Sequence, residues 1–324
     1  GSVVTFNNGE NSTAELSRLT IQNGYGSGME GYDNRGGGIF CINASPTLKN
    51  LIIKDNQAET SGAGIWFGYS DAQLVDIIIS DNTVTGEEIV AGGGISINYN
   101  SNPTLNNILV ADNEAPYGAG IELWSYSKPL LKNVTVVNNT GSYGGGLLLS
   151  GGSHPTLIST ILRGNSPQEI EMGLTENQPD TVSISYSNIK GGQDSIVTIN
   201  NSIVNWGIEN IDSNPIFCDP ENGDYTLQPE SPCVDSGTDY VENNGEILYQ
   251  LSPDEYEGWE KAVGYNEDDD IPEGLKRAKE LSREAMEEGL KRQLSEEIID
   301  NKDEKFIYES TDGGKTIYKR NFGE

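Results

Sequence analysis

One short signature returns five times along this chain at almost constant spacing, and few folds can accommodate that. GGGIF (36–40), GAGIW (62–66), GGGIS (92–96), GAGIE (118–122) and GGGLL (144–148) align on Ile39, Ile65, Ile95, Ile121 and Leu147, which lie 26, 30, 26 and 26 residues apart. A second signature keeps the same beat: SPTLKNLIIKDN (45–56), SDAQLVDIIISDN (70–82), SNPTLNNILVADN (101–113), SKPLLKNVTVVNN (127–139) and SHPTLISTILRGN (153–165). Self-similarity at a fixed period of this length is the mark of a solenoid, in which each repeat buries its apolar face only against its neighbours.

Each repeat holds two short runs of β-branched residues separated by Gly, Asn, Ser and Pro, and the linking segments are too short for a crossover helix. Stacking one coil on the next in register therefore predicts parallel strands wound into a β-solenoid. The period of two sends Ile39/Cys41, Ile65/Phe67, Ile95/Ile97, Ile121/Leu123 and Leu147/Leu149 into the bore, with Phe40, Trp66, Ser96, Glu122 and Leu148 on the outer face. Asn56, Asn82, Asn113, Asn139 and Asn165 share a column. Asn tolerates the left-handed turn conformation and its amide can bond to its copies one coil above and below, so the column reads as architecture. The glycines read as corners where a Cβ would clash.

These repeats resemble right-handed parallel β-helix proteins of bacterial cell surfaces, with a likeness to the GGAI repeats of chlamydial polymorphic membrane proteins. The segment NIDSNPIFCDPENGDYTLQPESPCVDSGT (210–238) is similar to the closing segment of such proteins. The resemblance implies the pectate-lyase-like superfold and its right-handed winding over residues 3 to 240. It implies no single activity, because that superfold serves lyases, glycosidases, epimerases, tailspikes and adhesins.

Departures from the repeat mark where function is expected. YGSGMEGYDNRGG (25–37) and TVTGEEIVAGG (83–93) are long insertions at the same corner, two coils apart, with QAETSGAG (57–64) between them. Glu30, Asp33, Glu59, Glu87 and Glu88 are thereby expected to converge on an acidic rim, joined by Glu114, that could hold Ca²⁺ or remain a solvated surface. A carboxylate pair for sugar chemistry is the third reading, with Glu87, Glu88, Asp33 and the cation Arg35 as catalytic candidates. On the outer face and the next corner, Trp66, Tyr69, Tyr99, Glu122, Trp124 and Tyr126 are expected to bind carbohydrate, whose C–H faces suit exposed rings.

Charge narrows the partners. The chain has 324 residues and a net charge of -30, which disfavours nucleic acid and anionic membrane surfaces. Residues 1 to 251 carry eight Lys plus Arg against 29 Asp plus Glu, so the basic residue that the lyases of this superfold use has few candidates. No apolar run is long enough to span a bilayer. The chain opens on GSVVTF, which reads as mid-strand, so an export signal is expected upstream and the location extracellular, cell-surface or virion-borne. His154 sits in a turn and reads as structural. Cys41 is expected in the bore, while Cys218 and Cys233 are equally compatible with a disulfide or with free thiols.

After about residue 251 the composition changes to 12 Lys plus Arg and 21 Asp plus Glu in 73 residues. Domains are accordingly expected as a β-helix with closing segment over 1–240, an acidic linker over 241–271, and an amphipathic helix plus hairpin over 272–324. Asp270-Ile-Pro-Glu273 starts the helix, and FIYESTDGGKTIYKRNF (306–322) reads as the hairpin. This tail is expected to cover an outer apolar column formed by Ile52, Ile78, Leu109 and Ile161, to plug the open end, or to make a homo-oligomer. The functional expectation is a non-catalytic glycan-binding β-helix; the alternatives are a polysaccharide lyase or glycoside hydrolase and a structural scaffold docking through its tail.

Overall fold

The computed structural model describes residues 1–238 except 27, 28, 33 and 87–89, together with the backbone of four later strands. Two long parallel sheets build the first compact unit, Gly1–Thr238. The first is eight-stranded: Val4–Phe6, Ile39–Ile42, Ile65–Gly68, Ile95–Asn98, Ile121–Leu123, Leu147–Leu149, Ile170–Met172 and Val197–Thr198 follow one another in chain order. Its register is the one the repeats dictate, with Ile65 beside Ile95, Ile95 beside Ile121 and Ile121 beside Leu147. The second sheet has eleven strands and includes Thr47–Lys54, Gln73–Ser80, Thr104–Ala111 and Leu130–Val137. Thus the chain forms an all-β parallel solenoid, one coil per repeat.

The bore is filled as the alternation requires. Ile39, Cys41, Ile65, Phe67, Ile95, Ile97, Ile121, Leu123, Leu147 and Leu149 are all fully buried in one continuous core. Each such side chain contributes on the order of 2 kcal/mol by leaving water. Burial also pushes the Cys41 thiol up to about 12, so it behaves as a small apolar filler. Cys41, Cys218 and Cys233 are all free thiols.

In the second sheet the alternation changes phase in mid-strand. Leu48, Leu51 and Ile53 all face the core, a spacing of three and then two. The cause is Asn50, whose φ of 52° lies in the left-handed region; Asp76, Asn107, Asn133 and Ser159 do the same in later coils. One left-handed residue turns the strand by a corner and restores inward pointing on the far side, giving each coil a third face. The register confirms the bend, since Lys49 pairs with Val75 and Leu51 with Ile77 while Asn50 and Asp76 drop out of the ladder.

The asparagine column is a hydrogen-bonded ladder. Asn56 Nδ2 donates to Asn82 Oδ1 at 3.0 Å, Asn82 to Asn113 at 2.9 Å, Asn113 to Asn139 at 2.9 Å and Asn139 to Asn165 at 2.9 Å. The backbone N–H of each donates to the same next oxygen, so these buried amides are satisfied by their copies. The left-handed turn, however, belongs to the residue before each ladder position, namely Asp55, Asp81, Asp112, Asn138 and Gly164. At the far end Glu169 replaces asparagine and accepts from Asn165 Nδ2 at 2.6 Å. Burial raises the Glu169 carboxyl above its usual range, and the Asn165 donors partly offset this.

The glycine corners are steric. A Cβ on Gly120 would lie 2.5 Å from Gly146 O and 2.9 Å from Val136 Cγ1, so the coils approach at backbone contact there.

The closing segment folds back over the second sheet. Phe217–Asp219 and Asp224–Leu227 form an antiparallel pair, and Tyr225 packs on Ala111 and Val137. The Tyr225 hydroxyl donates to Asp112 Oδ2 at 3.0 Å and accepts from Asn138 Nδ2 at 2.9 Å. Leu109 joins this cluster, whereas Ile52 and Ile78 remain exposed at 40% and 42%.

The second compact unit is Asp239–Glu324. Tyr240–Asn243 pairs antiparallel with Glu246–Gln250, inside the stretch read as a linker, and Phe306–Glu309 pairs with Tyr318–Asn321. The helix expected from residue 272 lies outside the described residues. Among the described residues no helix is long and apolar enough to cross a membrane.

Candidate functional site

Tyr32 folds onto the outer face of the first sheet, 6.2 Å from the Phe40 ring and 5.5 Å from Trp66, centroid to centroid. Phe40 and Trp66 are neighbours in register, and their rings stack at 5.0 Å and 6°. Both point out of the bore, yet both are fully buried. The expectation that Trp66 offers an open sugar platform is therefore corrected. An outward face of this size must be covered, and the tyrosine of the insertion covers it.

Arg35, at the end of the same insertion, is half-buried with its guanidinium carbon 5.4 Å from the Trp66 ring centre and 5.6 Å from that of Tyr32. It forms a cation–π contact with the cluster. Glu59 also serves the insertion: its carboxylate accepts from Tyr25 Oη at 3.1 Å and from Asn34 Nδ2. Glu30 is exposed, and Asp33, Glu87 and Glu88 lie outside the described residues. Among the described residues no three His, Cys, Asp or Glu side chains gather closely enough to hold a metal ion, and Glu59 already has partners on both oxygens.

One coil beyond Trp66 the outer column becomes polar. Ser96 pairs with Trp66 on one side and Glu122 on the other. Ser96 Oγ donates to Glu122 Oε2 at 2.7 Å, and Asn98 Nδ2 donates to Ser96 Oγ at 2.6 Å and to Glu122 Oε2 at 3.5 Å. Glu122 keeps only 7% of its surface, so it too is not the open contact the strand pattern predicts. Burial pushes its carboxyl from 4.5 up to about 7, and the donors Ser96 and Asn98 and the Arg35 charge only partly oppose this. In the neighbouring aromatic cluster two buried donors, Arg35 Nε and Trp66 Nε1, have no hydrogen-bond partner among the described residues.

The following corner keeps the expected exposure. Tyr69 and Tyr99 stack at 5.4 Å and 16°, and Tyr99 meets Trp124 edge-on at 5.7 Å. Tyr69, Trp124 and Tyr126 expose 50%, 41% and 47% of their surface, while Tyr99 is half-buried between Tyr32, Trp66 and Trp124. Tyr69, Tyr99 and Tyr126 adopt φ of 53°, 55° and 63°, unusual for bulky side chains. In the next coil the ladder meets Gly151 and Gly152, where a Cβ would lie within about 3 Å of the Trp124 and Tyr126 rings. Those glycines allow the backbone to lie against the two aromatics.

The structure thus joins Arg35, Trp66 and Tyr99 into one cluster with Tyr32 and Phe40, continuous through Tyr99 with the open corner of Tyr69 and Trp124, while Glu122 is buried with Ser96 and Asn98 in the same outer column. Sequence reading omitted Tyr32, the residue that closes the cluster. Its only signal was membership of an insertion with several aromatic and glycine residues.

A parallel β-solenoid built of one coil per repeat defines a class of repeat proteins. A family model described as right handed beta helix region matches residues 3–166 and 37–216, and the chain belongs to that family. No curated protein and no solved structure matches the chain.

Proposed function

We propose that this β-helix binds polysaccharide along the corner of Tyr69, Tyr99, Trp124 and Tyr126, on an exported or virion-borne chain. The observation that carries the reading is the run of aromatic side chains on successive coils, three of them 41–50% exposed and two stacked. Coils repeat at about 4.8 Å, so the rings offer regularly spaced apolar surfaces to a chain of sugar rings. Asn100, also exposed at this corner, supplies a polar group for hydroxyls. The test is retention on immobilised neutral and acidic polysaccharides by the protein and by Tyr69→Ala and Trp124→Ala. Retention weakened at least tenfold by either change supports the reading; undiminished retention refutes it.

A second reading, polysaccharide degradation, is favoured by one observation: a carboxyl held near pH 7 is poised for general acid or base work. Release of reducing or unsaturated ends, abolished by Glu122→Gln, would support it.

A further inference from the structure

We propose that residues 166–216, the last coils before the closing segment, are a pH-sensitive terminal unit of the solenoid, closed in acid and opening locally towards neutrality. The ground for it is a change of chemistry that three columns share at one coil. The asparagine ladder is neutral from Asn56 to Asn165 and then meets Glu169. Ser70, Ser101, Ser127 and Ser153 are a second buried column, and Asp180 takes the place after Ser153. The outward column of the first sheet passes from Leu148 to Glu171. All three carboxyls are buried, Asp180 completely. Ser127 and Ser153 donate through Oγ to a carbonyl of their own coil, Trp124 O and Ser150 O, both at 3.0 Å. Asp180 instead accepts, from Ser153 N at 2.7 Å and from Gly173 N at 2.9 Å. A carboxyl in such a column is tolerated as the neutral acid and becomes a buried charge once it ionises.

Burial raises the Glu169 and Asp180 carboxyls above their usual range. At Glu169 the Asn165 donors and the charge of Lys190, one coil further on, oppose this only in part; at Asp180 the backbone N–H groups of Ser153, Gly173 and Gly152 do so. Folded-state values raised in this way give stability that is present in acid and lost as pH rises through them. Glu171 lies beyond the inward Ile170 from Glu169 and accepts from Gly144 N at 2.9 Å, a third carboxyl in the same coil. Of the other charges nearby, Arg163 is engaged by Asp212 at 3.0 Å, and Glu176 and Asp194 are exposed. The unit is held at both ends. Asn165 is fixed in the ladder by its bonds with Asn139 and Val136 O. Beyond the unit the closing segment returns up the solenoid, where Tyr225 bonds Asp112 and Asn138. The residues between these anchors can loosen without releasing the coils before them. Val197–Thr198 and Ile203–Trp206 are the last strands of the two long sheets, and Ile199, Ile203 and Ile208 are exposed, so fewer apolar contacts resist opening here than in mid-stack.

The experiment is amide hydrogen exchange of the full chain, read by mass spectrometry at pH 5 and pH 7.5 and corrected for the intrinsic exchange rate at each pH. Peptides covering 170–206 are expected to lose protection at least about threefold between the two conditions. At pH 7.5 they should also exchange at least about tenfold faster than peptides covering 65–80, which marks the opening as local. The double variant Glu169→Gln, Asp180→Asn should restore protection of 170–206 at least about threefold at pH 7.5 and change it less than about twofold at pH 5. Protection of 170–206 that is the same at both pH values would overturn the switch. So would exchange of 170–206 in step with 65–80 at pH 7.5, which means opening of the whole solenoid, or a double variant that keeps the full pH dependence. Far-UV circular dichroism establishes that each variant folds. Should the double variant not fold, Glu169→Gln alone is expected to shrink the pH dependence, and an unchanged profile in it would overturn the assignment; the comparison of 170–206 with 65–80 in the unaltered chain decides the rest.

Discussion

Replacing Glu122 by glutamine should make the solenoid more stable in neutral solution and leave it nearly unchanged in acid. The carboxyl is buried, it bonds Ser96 and Asn98 through one oxygen, and burial lifts it from 4.5 to about 7. A group whose folded value is raised contributes stability that is fully present below its unfolded value and is lost as pH rises through the folded one. Between pH 4.5 and pH 8 the folded protein must therefore ionise Glu122 in a site that resists the charge. At about 1.4 kcal/mol per tenfold, the difference between 4.5 and about 7 amounts to roughly 3 kcal/mol. Glutamine keeps an oxygen acceptor for Ser96 and has no proton to lose. Urea titrations followed by circular dichroism at pH 4.5, 6, 7 and 8 would measure both chains. The variant's advantage should grow from near zero to roughly 3 kcal/mol over that range. Glu169 and Asp180 are also raised by burial and keep some acid preference in both proteins, so the difference between the curves isolates Glu122. Parallel curves would refute the assignment of the buried charge.

Two further changes probe the coil itself. Asn113→Ala removes a side chain that donates to Ile79 O and Asn139 Oδ1 and accepts from Asn82, leaving buried neighbours unsatisfied; a loss of about 2–4 kcal/mol is expected in the same urea assay, and a loss below about 0.5 kcal/mol would show that water replaces the amide. Gly120→Val places atoms against the Gly146 carbonyl and Val136, so soluble folded yield should fall sharply, with Gly120→Ala intermediate. Normal yield and melting temperature for the valine variant would mean that the coils can separate at this corner.

Much of the coil was legible because its signals are local and repeated. Ile39, Ile65, Ile95, Ile121 and Leu147 mark one register, and the alternation around them correctly fills the bore. The asparagine ladder was equally readable, since a polar residue recurring beside an apolar run needs its copies as partners. The placement of the left-handed residue was less so: Asp55 and Asn56 are both turn formers, and only the backbone decides that Asp55 takes φ 53°. The phase change at Asn50 escaped notice because a simple period of two contains no third face. The site was read in part. Tyr69, Trp124 and Tyr126 are exposed where the corner pattern puts them. Trp66 and Glu122 are not, because outward pointing says nothing of what a distant insertion lays on top, and nothing periodic encodes the position of Tyr32.

The asparagine ladder has a direction. Every side-chain amide donates toward the next coil, from Asn56 through Asn165, and the series ends on Glu169. Aligned amide dipoles of this kind polarise one another along the stack. A carboxyl group at the terminus has no amide N–H to hand on to a further coil, so it stops the series. A coil could be duplicated or deleted between Asn56 and Asn165 without breaking the relay. Inserted after Glu169, the same coil would find no donor waiting for it. The length of the solenoid's polar spine is thus written at one residue, and growth of the protein by repeat duplication is confined to the coils before it.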